Sequence, residues 1–284
     1  MAGSHVRSVL VGGHESARGA DLERLRGALP GAVVCAPGRS LQDAVRAGLA
    51  VGPEPVIVLP MTWGRDPVMV ADTARTLRWL AAGSGRGRIA LADQFGTIDH
   101  LVALLRAAAT RTAARQPGAG LVLAAPGADP FDDAELHRVA HLVRTFGTGL
   151  EIGVACVGTD ADLARAVQRV RLLGAQDVVV VPAGFAATAP CADALDGAAF
   201  FGPLLSDTAL LRIVRERLAA AEHDLQHGHD GIEEGLEADH GHGYAHSHAG
   251  LAGTGHPHTH PHPHRAARLA PAVPAPGAAA PARG

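Results

Sequence analysis

The feature that most constrains this chain is a repeat: one order of short apolar strands and amphipathic helices runs through its first half and then again through its second. In the first pass, residues 8–11 (SVLV) precede Leu22, Leu25 and Leu29, which share a helix face at i, i+3, i+7. Residues 33–35 (VVC) precede Leu41, Ala44, Val45 and Leu49. Residues 56–59 (VIVL) stop at Pro60 and lead to Val70, Ala74, Leu77 and Ala81. Residues 89–91 (IAL) lead to Leu101, Leu104, Leu105 and Ala108. In the second pass, 121–125 (LVLAA) is followed by Leu136, Val139, Ala140 and Val143, and 152–157 (IGVACV) by Leu163, Val167 and Val170. Residues 178–181 (VVVV) then end at Pro182 as the earlier strand ends at Pro60, and Phe200-Phe201 with Leu210, Leu211, Val214 and Leu218 closes the unit.

Alternating βα units call for parallel sheets, and near-continuously apolar strands are what burial on both faces requires. The expected architecture is therefore α/β, with two tandem flavodoxin-like lobes over 1–117 and 118–222 and a linker within 112–120, where Arg115-Gln116-Pro117-Gly118 breaks the helical pattern. After about Glu222 apolar periodicity stops, and twelve of the 17 histidines fall between His223 and His264; Pro and Ala dominate from Pro271. A segment of that composition cannot bury enough apolar surface to offset its ordering entropy, so 223–284 reads as a disordered tail.

Composition removes several classes of function. The net charge is -3, which provides no general attraction to nucleic acid or an anionic membrane. All 25 basic residues are Arg, so Schiff-base and P-loop lysine chemistry is excluded. Cys35, Cys156 and Cys191 are odd in number and form no C-x-x-C pair, against a disulfide framework or a zinc ribbon and in keeping with a reducing cytoplasm. No apolar run approaches 18 residues and the first seven residues carry no signal-peptide core. The expectation is a cytoplasmic protein with no membrane partner and no organic cofactor; nothing in the chain specifies its oligomeric state.

Chemistry is expected first at the turn after the first strand, Gly12-Gly13-His14-Glu15-Ser16-Ala17-Arg18, because ligands of open α/β sheets sit at the carboxyl ends of the strands. A full G-x-G-x-x-G is absent, which weakens a dinucleotide reading. His14 can act as proton acceptor or metal ligand. Glu15, Asp66 and Asp72 are the carboxylates that could share the task, with Glu15 first by adjacency. Arg18, Arg39 and Arg65, with the amides near Gly12 and Gly13, suit a carboxylate-bearing substrate. Trp63 and Phe185 stand three residues after Pro60 and Pro182, where each could pack on a ligand face or equally in the core. Cys191 is a further soft-ligand candidate, whereas Cys35 and Cys156 read as buried small hydrophobes. His100, His137 and His141 lie on helix patterns, and the last two do not form H-E-x-x-H.

A strand ending in Gly-His, followed by Ser, Arg and a helix, with a later apolar strand ending in Leu-Pro or Val-Pro and the whole duplicated, resembles the class II chelatases, the sirohydrochlorin cobaltochelatases and ferrochelatases. The resemblance covers about residues 6–220. It implies two flavodoxin-like lobes with a tetrapyrrole cleft between them, and insertion of a divalent metal (Co²⁺, Fe²⁺ or Ni²⁺) into sirohydrochlorin for cobalamin or sirohaem synthesis. Four family histidine positions fall on His14, Val68, Pro126 and Pro190, with Asp72 in the place of a family Asp and Arg18 in that of a family Arg. The resemblance assigns His14 to catalysis and places the displaced family Arg at Arg18, although the family has Gly where Glu15 stands; adjacency to His14 adds Glu15 to catalysis, and residue chemistry assigns Gly12, Gly13, Ser16, Arg18, Trp63 and Arg65 to substrate binding.

The tail carries its own signal: His227 and His229, His240 and His242, His246 and His248, then His256, His258, His260, His262 and His264. An unperturbed imidazole has a pKa of about 6.5 and is largely neutral near pH 7, so i, i+2 pairs can chelate Co²⁺, Ni²⁺, Zn²⁺ or Cu²⁺. This composition suits a metal store or local concentrator and favours cobalt over iron. A scaffold that binds metal or tetrapyrrole and hands it on is the alternative to an enzyme.

Overall fold

The computed structural model describes residues 7–83, 85–145 and 148–239. Both sets of strands assemble as the alternation requires. The first sheet contains β1 (Arg7–Gly12), β2 (Val33–Cys35), β3 (Val56–Met61) and β4 (Ile89–Leu91) in the order β2-β1-β3-β4. The second contains β5 (Gly120–Pro126), β6 (Ile152–Val157), β7 (Val178–Pro182) and β8 (Ala199–Phe200) in the order β6-β5-β7-β8. Every pairing is parallel, and the two sheets have the same topology. β3 is buried at every position, as a strand covered on both faces must be.

β3 runs one residue past Pro60, where the sequence reading ended it. Pro60 accepts a hydrogen bond from the Phe95 N–H on the β4 side, and β4 pairs with β3 only as far as Val58. The N–H that proline lacks would have no ladder partner there, so the residue costs the sheet nothing. Register also defines the internal repeat: Val11 pairs with Pro60 and Ala124 with Pro182. The counterpart of His14 is therefore Gly127, one residue beyond the expected Pro126.

The helices follow the apolar stripes. α1 (Arg39–Val51) buries Leu41, Val45 and Leu49, and α2 (Pro67–Ala81) buries Val70, Ala74 and Leu77. α3 (Ile98–Arg115) extends into the first four residues of the expected linker because Thr112 is itself buried. α4 (Pro130–Thr145), α5 (Asp160–Leu172) and the one-turn α6 (Ala192–Leu195) flank the second sheet. β1 is followed by 3₁₀ turns, His14–Ala28, interrupted by non-helical backbone at Ser16, Ala17, Arg18 and Gly19.

The last helix of each half crosses to the other. α3 packs on α4 and reaches β7, while α7 (Asp207–Gln226) packs on β3 and β4. One core consequently includes Leu10, Ile57 and Leu101 together with Leu121, Val179 and Val214. A short helix, α8 (Ile232–Leu236), then lies against α2 and β4, with Ile232 3% exposed and the Leu91 N–H donating to the Asp230 carbonyl at 2.8 Å. Residues 223–239, read in the sequence as the start of the tail, are thus folded onto the first sheet. Ile232 and Leu236 are the apolar anchors that a scan for longer stripes passes over, and burying one such side chain stabilises by about 1.5–3 kcal/mol. The chain from 240 onward lies outside the described residues. Among the described residues no helix is long and apolar enough to cross a membrane.

Candidate functional site

His14 leaves the end of β1 directly after Gly13. A Cβ on Gly13 would lie 1.9 Å from Asp66 Oδ2, so glycine is what lets the β1 turn close on that carboxylate. Asp66 caps α2: its Oδ1 accepts the Met69 N–H at 3.1 Å, and Pro67 follows at the first helical position. Its Oδ2 accepts the His14 backbone N–H at 3.1 Å and stands 3.1 Å from His14 Nδ1. From the second half, Asp132 on the first turn of α4 brings Oδ2 to 3.6 Å from the same Nδ1. A ring nitrogen of His14 and one oxygen from each carboxylate lie within 4.8 Å of one another, the only such set of three metal-capable groups among the described residues.

These groups perturb each other. Burial by itself would lower the His14 pKa, but the hydrogen bond and charge of Asp66, with the charge of Glu15, outweigh it and hold the imidazole above its ordinary value. Asp66 is held low despite its burial, by its hydrogen bond to His14, the His14 charge and the Met69 N–H. Burial, against the pull of His14 and with the nearby charges of Asp129 and Asp66, pushes Asp132 up to about 7. The ring's other nitrogen, Nε2, is buried and has no hydrogen-bond partner among the described residues.

Glu15 occupies a different place from the one expected. It is 1% exposed, and its carboxylate accepts the Thr62 hydroxyl and the N–H groups of Trp63 and Arg65, the last at 3.0 Å. It pins the turn between β3 and α2 and is turned into the protein, with burial raising its pKa against the Arg65 charge and the Thr62 bond. Arg65 is equally buried and donates to the Ala183 carbonyl at 3.3 Å and the Asp132 carbonyl at 3.4 Å, joining the two halves, while its Nε is buried without a partner among the described residues; the guanidinium faces the interior and not an exposed substrate surface. Trp63 stacks on Phe185 with ring centres 5.5 Å apart and meets Phe95 edge-on, so both aromatics belong to the core. Gly12, Gly13 and Ser16 are buried in the turn, and the Ser16 hydroxyl donates to the Gly13 carbonyl. Arg18 is exposed, and both it and Ala17 hold left-handed backbone, a conformation that costs non-glycine residues on the order of 1 kcal/mol or more.

The remaining candidates lie apart from this group. Asp72 pairs with Arg75 on the exposed face of α2, and Arg39 is exposed at the start of α1. Val68 is an exposed apolar residue in the first turn of α2. Pro190 adjoins Cys191, whose thiol donates to Asp160 and whose sulfur accepts the Ala194 N–H as the cap of α6. Cys35 and Cys156 are half-buried, short of the full burial expected, and burial pushes both thiols up to about 11, with the Asp133 charge and hydrogen bond adding to it at Cys156. His100 caps α3 with Thr97, while His137 and His141 are exposed on α4. His227 and His229 follow α7, and His229 lines a cavity of about 670 Å³ between α2, α7 and α8. Gly64 and Pro67 reach that cavity, but His14, Asp66 and Asp132 do not line it. His240, His242, His246, His248, His256, His258, His260, His262 and His264 lie outside the described residues.

The residue that sequence reasoning missed is Asp132. The signal was present: an acidic pair, Asp132-Asp133, opens the helix after β5 and so stands in the half-repeat corresponding to the His14 turn. One imidazole and two carboxylates form an N/O donor set suited to borderline divalent ions such as Fe²⁺, Co²⁺, Ni²⁺ or Zn²⁺. Two metal–ligand bonds of about 2.1 Å span at most about 4.2 Å, so small side-chain adjustments bring all three donors onto one ion. An ion bound at this place would displace the protons that His14 and Asp132 carry.

A scan against protein-family models and a search of the curated proteins return no match. Solved structures similar to this chain include the sirohydrochlorin chelatase SirB from Bacillus subtilis subspecies spizizenii in complex with cobalt, at 14% identity and a TM-score of 0.43 over 77% of this chain and 96% of that one. SirB from Bacillus subtilis with Fe³⁺ matches at 16% identity and a TM-score of 0.46 over the same shares. A multi-domain protein from Deinococcus radiodurans, described as structurally similar to chelatases with two additional novel domains, matches at 21% identity and a TM-score of 0.43 over 76% of this chain and 55% of that one.

Proposed function

We propose that this protein is a sirohydrochlorin chelatase-like lyase that inserts a divalent metal, Co²⁺ before Fe²⁺ or Ni²⁺, into a tetrapyrrole for cobalamin or sirohaem synthesis. The observation that carries the reading is the convergence of His14, Asp66 and Asp132 at the carboxyl ends of both sheets. Insertion requires two pyrrole N–H protons to be removed and a hydrated cation to be partly stripped and aimed at the ring. Asp66, held ionised, offers charge to the cation, and His14 offers a ring nitrogen. Asp132, titrating at about 7, accepts one proton near neutral pH, where a general base is most effective, and the second proton passes to solvent water. Arg18 is the exposed cation beside the turn that suits a substrate carboxylate. The metal is a substrate in this reading, supplied by the histidines of the tail.

The second reading is a scaffold that holds the cation and passes it on, without insertion. It is favoured by how closely the halves meet: the Phe185 N–H donates to the Glu15 carbonyl at 3.1 Å, Arg24 to the Phe185 carbonyl at 3.0 Å, and a Cβ on Gly184 would lie 2.5 Å from the Glu15 carbonyl oxygen. The His14 side chain is 14% exposed, which gives a macrocycle little surface to meet. The deciding experiment follows the absorbance of anaerobic sirohydrochlorin with Co²⁺ or Fe²⁺, with the full chain, with His14→Ala and without protein. Acceleration that disappears in His14→Ala supports the lyase. Tetrapyrrole or cation binding with no acceleration at saturating metal supports the scaffold.

A further inference from the structure

α7 ends in a feature that neither the His14 group nor the chain beyond 239 includes. His223 and His227 stand one helical turn apart, at i and i+4, with ring centres 4.5 Å apart and planes inclined at 66°. Both rings are exposed. The turn that carries them is well defined: the His227 and His229 N–H groups both donate to the Asp224 carbonyl, and the Gly228 N–H donates to Leu225, closing the helix. Upstream, Val214 and Ala221 anchor α7 in the core. These imidazoles are thus placed by a packed helix.

We infer that His223 and His227 form a two-imidazole chelate for a borderline divalent cation of the Ni²⁺, Cu²⁺, Co²⁺ and Zn²⁺ class, separate from the His14 group and independent of the reading of that group as a chelatase centre. Rings spaced one turn apart on a helix face lie within reach of a single ion through bonds of about 2.0–2.1 Å. The carboxyl end of a helix carries partial negative charge, which favours a cation there. Asp224, between the two histidines, lines the neighbouring cavity with Glu234 and Asp93. The paired imidazoles select transition metals over Mg²⁺ or Ca²⁺, which prefer oxygen donors.

Because this chelate joins two turns of a folded helix, the bound ion must slow local opening of that helix, which distinguishes it from binding to histidines elsewhere. Hydrogen exchange of the full chain, read by mass spectrometry with and without Ni²⁺, tests this, with His223→Ala, His227→Ala and an exposed control, His141→Ala. At free Ni²⁺ ten times the dissociation constant, amides of the last turn of α7 should exchange about tenfold more slowly in the wild type and in His141→Ala. The slowing should disappear in His223→Ala and in His227→Ala, although the histidines beyond 239 are unchanged, and Mg²⁺ should produce none. No slowing of α7 in the wild type, or equal slowing in the two variants, would overturn the inference.

Discussion

Asp132, on the second half of the chain, places Oδ2 3.6 Å from Nδ1 of His14 on the first. The two residues are brought together by the abutment of α4 and the β1 turn, with Arg65 bonded to the Asp132 carbonyl on one side and to Ala183 on the other. The centre therefore belongs to both halves, and its charge state is set where they meet.

Replacing Asp132 should alter how stability depends on pH. Its carboxyl titrates at about 7 in the folded chain, against an ordinary 3.8, so between those values the native state holds a proton that the unfolded chain has released. Stability from this group is fully present below about pH 4 and is lost as pH rises through 7, by up to about 1.4 kcal/mol for each unit crossed. Asp132→Asn, which cannot titrate, should flatten the slope in urea unfolding between pH 4 and 7. An unchanged slope would refute the raised value.

Cation binding at the same group should move in the opposite direction. The ion needs Asp132 deprotonated, so affinity rises as pH passes through 7, and Asp132→Asn should weaken binding at pH 7.5 by tenfold or more. Titration calorimetry of His14→Ala, Asp132→Asn and the wild type isolates the difference due to this group, since every histidine is retained in Asp132→Asn.

Glu15 should prove structural. Glu15→Gln leaves one acceptor oxygen for the Thr62, Trp63 and Arg65 donors and turns an amide N–H₂ toward them in a site with no water access. Unfolding free energy should fall by about 2–3 kcal/mol. The folded fraction should bind cation more nearly like the wild type than His14→Ala does; a loss as large as that of His14→Ala would make Glu15 part of the centre.

Gly13→Ala should be the local disruption. The added methyl overlaps Asp66 Oδ2, so either the carboxylate leaves His14 or the turn opens. The cost is about 1–3 kcal/mol, with cation affinity at His14 falling in step. Gly27→Ala, which meets nothing within 4 Å, is the matched control and should change neither.

Ile232→Ala removes the anchor of α8 and should cost about 2–4 kcal/mol. Limited proteolysis should then cut within 228–239 sooner than in the wild type. Equal protection would mean that the Leu91 to Asp230 hydrogen bond holds this segment without the side chain.

What the sequence by itself determined is the set of strands, their parallel order and the duplication. Runs such as 56–59 and 178–181 are apolar on both faces, and stripes such as Leu41, Val45 and Leu49 recur at the helical period; burial acts on each segment separately, so it is written locally. His14 was legible for the same reason, as an imidazole at the end of a first strand. Tertiary structure alone decided which groups His14 meets. Asp132 is 118 positions away, and no local pattern records that a helix of the second half abuts the first turn of the first. It also turned Glu15 inward to three donors, put Trp63 on Phe185 in the core, sent α3 and α7 across to the opposite sheets, and folded 223–239 back onto α2. Those outcomes depend on the docking of one half on the other, a long-range relation whose free energy belongs to pairs of surfaces and is carried by no single stretch of chain.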